Sequence, residues 1–295
     1  MLELIDITGT ATNNGVLVQL LEEHLGGVCV ANATLGLDLA CRYVFGNSRR
    51  AVRVPAFTFP ATVLAVINAG FEPVLCDVNL DTWAAEPDDR TLSVCPFGYP
   101  AEGPLVDAAA AYGRALSGNY VMSLHATKPL PAGEGGVVCG SPELLDYVRR
   151  ARNFGFEDYL VEAIGTNAKM SEYHAAVALA SLERYPAANE RRGAIAKQYA
   201  DKLGTRLYAL PYGGGMNYPV LVDDPVGLQR RLSDAAIASR RWYCPTLDQH
   251  PAFRGLRRES LKNAHYLASR LICLPFHVHM HQSDIDRVCE VVCAK

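Results

Sequence analysis

The chain has 295 residues, 49% of them hydrophobic and 20% charged, with a formal net charge of -3. That composition fits a globular enzyme with one large domain and a smaller one, and it carries no basic block suited to a nucleic-acid partner. No apolar run reaches the length of a membrane span.

The N-terminal stretch Met1-Leu2-Glu3-Leu4-Ile5-Asp6 is acidic and lacks the basic-then-apolar layout of a secretion signal, so a cytoplasmic location is expected. Nine scattered cysteines form no CxxC pair and read as small buried hydrophobes in a reducing compartment. In chain order, 28–31 reads as a strand, 35–45 as a helix, 51–54 as a strand, 61–69 as a helix and 73–78 as a strand. Segments 92–95, 104–106, 119–122 and 136–139 add further strands. This alternation predicts an α/β fold: a mostly parallel sheet flanked by helices, with ligands held beyond the carboxyl ends of its strands. A long helix over 170–185 continues through Pro186 into 189–203 and leads out of the large domain. Strand 216–221 and helices 226–236 and 283–292 then suggest a smaller C-terminal α+β domain. The division falls at 1–188 and 189–295.

Five segments carry chemistry. Lys128 follows a strand and precedes the turn Pro129-Leu130-Pro131-Ala132-Gly133, where partial desolvation would free a nucleophilic amine, although lysines beside turns are often merely solvated. Asn32-Ala33-Thr34 opens a helix and offers either a phosphate seat or an N-cap threonine. Asp107 ends a short apolar strand, where it can hold a protonated ring nitrogen or cap the alanine-rich segment after it. Phe57 and Phe59 follow a strand and either pack in the core or stack on a planar cofactor. Asn167 and Lys169 bring an amide and a cation together before the long helix, which loop polarity explains equally well. His277, His279 and His281 alternate and share a face if they lie on a strand. A polar strand edge explains them better than a metal site, so no metal is expected.

Taken together, 54–61, 73–83, 123–136 and 167–176 resemble the DegT-type sugar aminotransferases, fold-type I enzymes that use pyridoxal 5'-phosphate (PLP). The likeness runs from about Val28 to Tyr185 and returns at Ile272 to His277. It implies that Lys128 is the Schiff-base lysine and proton carrier, and that Asp107 partners the pyridine nitrogen. Ser123, Ala33 and Thr34 would cradle the phosphate, and Phe59 would stack on the ring. Asn167 would reach the phosphate in a neighbouring subunit, with Lys169 beside it, so the site would be complete only in a homodimer. His125 and Lys169 are the candidate substrate contacts, His125 serving equally well in packing.

The resemblance implies transfer of an amino group from a donor such as L-glutamate to a keto-sugar, with a nucleotide-linked sugar as the expected acceptor. Alternatives are a keto-cyclitol or other small ketone as acceptor, or a non-catalytic PLP-binding regulator. A deoxygenating branch of the family carries histidine where this chain has Lys128. Two departures stand out. Ala110 replaces the Gln or His expected three residues after Asp107, and the chain is short both before Val28 and around 212–218.

Overall fold

The computed structural model describes residues 2–11, 14–46, 51–204 and 215–294. Two helices open it, α1 (Leu2–Thr8) and α2 (Val16–Leu25), the second closed by Gly26 in the left-handed conformation at φ 64°. Sequence reading assigns neither helix. Strand β1 (Val28–Val30) leads into α3 (Ala33–Phe45), β2 (Val52–Pro55) into α4 (Pro60–Asn68), followed by β3 (Pro73–Cys76), β4 (Leu92–Val94), β5 (Leu105–Asp107), β6 (Tyr120–Ser123) and β7 (Gly136–Cys139). These agree with the expected elements to within one to three residues at their ends. Helix α5 (Pro142–Ala151) was not expected, although Ser141 caps it and Pro142 opens its first turn.

The strands run β1-β7-β6-β5-β4 across one sheet, with β4, β5 and β6 parallel and β7 antiparallel to both β6 and β1. A parallel bridge between Arg53 and Thr91 joins β4 to the parallel set β2-β3. The sheet is therefore mostly parallel, as expected, with β7 reversed because the 124–135 loop folds back on itself and returns it beside β6. That loop brings the end of β6 and the start of β7 to the same edge as the ends of β1 and β5.

A small exposed hairpin, β8 (Phe156–Glu157) with β9 (Leu160–Val161), precedes α6 (Glu172–Leu203), which runs unbroken past Pro186. Its first residue is unusual. The Glu172 carboxylate is buried and accepts the Leu17 and Val18 N–H groups at 2.7 and 3.1 Å, capping α2 from 155 residues away. The first half of α6 packs in the core beneath the sheet, while Ile195, Ala196, Tyr199 and Leu203 pack in a separate cluster. That cluster also holds β10 (Tyr218–Leu221), α7 (Pro225–Asp234), β12 (Leu271–Leu274) and α9 (Gln282–Cys293). Between them, β11 (Arg257–Arg258) adds to β3, and α8 (Lys262–Arg270) buries Ala264, Leu267 and Ala268 in the main core. The expected strand over 216–221 shortens to β10, and 212–214 of the compact 212–218 region lie outside the described residues.

Candidate active site

Asp107 ends β5 and is buried. Its Oδ2 accepts the Thr62 hydroxyl at 2.7 Å and its Oδ1 accepts the Ala109 N–H at 3.1 Å, a local turn rather than a helix cap. The helix-capping alternative therefore falls, because turns and loop follow β5 instead of a helix. Burial pushes the Asp107 carboxyl up, and Thr62, the Ala109 amide and the Lys128 charge oppose that rise.

Lys128 reaches the same edge from the loop after β6. Hydrogen bonds from Leu124 N–H to Gly135 carbonyl (2.9 Å) and from Ala132 N–H to Leu124 carbonyl (2.7 Å) fold that loop back on itself. A β-turn at its tip, Lys128 N–H to His125 carbonyl at 2.9 Å, fixes where the lysine emerges. Its half-buried amine is held below the usual lysine range by desolvation, against the pull of Asp107. Each group is therefore biased towards its neutral form. A cation that can shed its proton beside a buried carboxyl is an arrangement suited to nucleophilic and proton-transfer chemistry.

Next to this pair lies an anion seat. Asn32, rather than Thr34, caps α3, accepting the Leu35 N–H at 2.9 Å. Thr34 is instead the second helical residue, and the first-turn amides of Ala33 and Thr34 have no acceptor among the described residues. Ser123 pairs with Gly136 across β6 and β7, and a Cβ on Gly136 would stand 2.6 Å from the Ala33 nitrogen. Only glycine lets β7 pass so close to the α3 terminus. Ser123 accepts the His125 N–H at 3.2 Å, which leaves its hydroxyl proton to donate elsewhere. Two open amides, a hydroxyl and a helix N-terminus fit a phosphate group.

An aromatic wall completes the edge. Phe57 is fully buried against Trp83 and Phe97, the core role, whereas Phe59 opens α4 half-exposed. Trp242 meets Phe59 edge-on at 6.1 Å, and Tyr243 stacks on Phe97 at 5.2 Å. Sequence reading missed Thr62, Phe97, Trp242 and Tyr243. The Trp242-Tyr243 dipeptide is a local signal, but only its position in space brings it to the site.

The other expected residues stand apart. Ala31 N–H donates to the Ala168 carbonyl at 2.8 Å and Val30 bridges Lys169, so this segment borders β1. Asn167 is exposed and accepts from Lys169 Nζ at 2.7 Å, while that amine also lies 4.4 Å from the Phe154 ring. Among the described residues, neither is hydrogen-bonded or ion-paired to Asp107 or Lys128. Around them Phe154, Phe156, Tyr159, Leu160, Val161 and Ile164 are exposed and form an apolar patch. His125 is engaged within its own loop, at 2.9 Å from Thr127 Oγ1 and 3.6 Å from Glu134. The histidines at 277, 279 and 281 are not on a strand, because β12 ends at Leu274 and His281 already caps α9. Among the described residues no cluster of three metal-ligating side chains forms, and no helix is long and apolar enough to cross a membrane.

An α/β fold with an amine, a buried carboxyl and an anion seat at one strand edge offers the groups an aminotransferase needs, and solved structures share the fold. A protein described as a PLP-dependent aminotransferase from Bacillus cereus superposes with a TM-score of 0.90 at 26% identity, covering 99% of this chain and 94% of that one. DesI, solved in the presence of its TDP-sugar product, gives 0.89 at 27% identity, covering 99% and 87%. The dTDP-4-amino-4,6-dideoxy-D-glucose transaminase of Shigella dysenteriae is 27% identical, over 99% of this chain and 93% of its own length. Residues 14–94 and 105–293 match the DegT/DnrJ/EryC1/StrS aminotransferase family, and the chain belongs to it. The expectations of an aminotransferase and of PLP as its cofactor are borne out by these relatives.

Proposed function

We propose that the chain moves an amino group from an amino acid, L-glutamate by resemblance, to a nucleotide-linked keto-sugar. The observation that carries this reading is the Asp107–Lys128 pair set beside the open seat of Ala33, Thr34, Ser123 and Gly136. PLP bound here supplies an aldehyde for the Lys128 amine and an electron sink for the bond broken beside it. Lys128 Nζ would be the nucleophile towards that aldehyde and the group that takes up and returns the proton moved during transfer. Asp107 would pair with the ring nitrogen and keep it protonated. The Ala33 and Thr34 amides and the Ser123 hydroxyl would bind the phosphate, and Phe59 would cover the ring.

In this reading Asn167 and Lys169 act on the site of a second copy, in a homodimer. The apolar patch around them supports it, since an exposed set of that kind needs a partner. The nucleotide carrier is supported by the dTDP and TDP sugars named for two of the relatives. His125 would line the substrate side of the lysine loop.

The test is the absorbance spectrum of the purified protein with PLP, before and after L-glutamate. A visible band that is lost on adding glutamate supports the first half-reaction, and keto-sugar nucleotides are then screened as acceptors. A band that no amino donor moves would favour a PLP-binding regulator, and no band at all would overturn the reading.

A further inference from the structure

Buried carboxylates in this chain usually meet a full set of partners. Asp38 pairs with Arg42 at 2.9 Å, Asp248 with His265 at 3.0 Å and Thr246 at 2.6 Å, and Glu172 takes two helix amides. Asp107 makes no ion pair among the described residues, and its one side-chain donor is Thr62, which is wholly buried on α4. Behind it, the buried Thr58 hydroxyl lies 3.2 Å from Thr62 Oγ1. An ionised carboxylate only accepts, so Thr62 must donate to Asp107 and can accept from Thr58. The row of hydroxyls thus has a direction, which the charge on Asp107 fixes and which cooperative hydrogen bonding strengthens.

We infer that Thr62 is a positioning residue for amino transfer: its hydroxyl, backed by Thr58, orients Asp107 and holds it as the carboxylate that meets the cofactor ring. The inference rests on the function proposed above. Packing alone would not need a hydroxyl here, because valine has the same shape. Lys128 faces Asp107 from the loop after β6, Tyr243 from the 242–248 loop, Cys41 from α3 and Cys95 from the end of β4. Burial pushes the phenol and both thiols up, Cys95 to about 12, so Lys128 is the cation of this set.

The experiment compares wild type, Thr62→Val, Thr62→Ser and Lys128→Ala as full chains titrated with PLP. Thr62→Val should bind PLP about tenfold more weakly, the value of a lost hydrogen bond to a buried charge. The acid-side transition in the bound-PLP absorbance should move to higher pH, because Asp107 loses a contact that favours its charged form. Thr62→Ser should restore both readouts. Wild-type affinity and an unmoved transition in Thr62→Val would overturn the inference, as would a serine variant that behaves like the valine one. If Thr62→Val does not fold, Thr58→Val carries the test: a smaller shift in the same direction supports the relay, and none overturns it. Lys128→Ala separates the two levels. If it keeps the wild-type band, the proposed function fails; if it loses the band while Thr62→Val matches wild type, only this inference fails.

Discussion

Arg152 and Asp107 are equally buried, each 5% exposed, yet the fold treats them in opposite ways. Arg152 is well partnered: it pairs with Glu22, donates to the Cys29 carbonyl and reaches Asn14 Oδ1 at 2.9 Å, tying α2, β1 and α5 together. Asp107 has a hydroxyl, one amide and a lysine whose own charge is disfavoured. A buried charge with every partner present serves the fold. One left short of partners stores interaction energy for a ligand, and that is the mark of a working site.

Breaking the working side should have the larger effect on activity. Lys128→Ala should lower transamination by more than about a thousandfold while far-UV circular dichroism stays that of the wild type, since nucleophile and proton carrier are lost together. Breaking the well-partnered side should act on stability instead. Arg152→Leu leaves the partly buried Glu22 without its cation and should cost about 3 kcal/mol in denaturant unfolding.

Asp107→Asn sharpens the contrast. The folded carboxyl of Asp107 is raised, so its contribution to stability is present below the unfolded carboxylate range and is lost as pH rises through the raised value. The cofactor-free asparagine variant should therefore melt at a higher temperature than wild type at neutral pH. The gap should close on acidification, while transamination falls at neutral pH. A variant that melts lower at every pH would show that Asp107 is structural, like Arg152. The smallest effect is expected at the exposed edge. Asn167→Ala should weaken PLP retention severalfold if a second copy supplies it to the site, and a monomer that retains PLP fully would break the shared-site proposal.

Local signals made much of this site legible. Lys128 lies between a β-prone run and a turn, Asp107 ends an apolar strand, and Asn32 to Thr34 opens a helix, all within a few residues of their determinants. The cap itself was misplaced by two residues, because Asn32 and Thr34 are both good caps and only the entry angle from β1 selects Asn32. Thr62 was not legible. Nothing between 58 and 62 distinguishes a helix-opening threonine from one that faces a carboxylate 45 residues further on. Trp242 and Tyr243 likewise come to the site only because the 242–248 loop packs over Phe59 and Phe97.

Periodicity and turn chemistry by themselves determined the strand–helix order, the mostly parallel sheet and the edge where chemistry belongs, since each depends on residues close in sequence. The tertiary structure alone decided the reversal of β7, the joining of β11 to the sheet, the capping of α2 by Glu172 and the Thr58–Thr62–Asp107 row. Those contacts join elements that no local propensity relates. They form because burying the core brings distant polar groups together, where each must find a partner or be kept for a ligand.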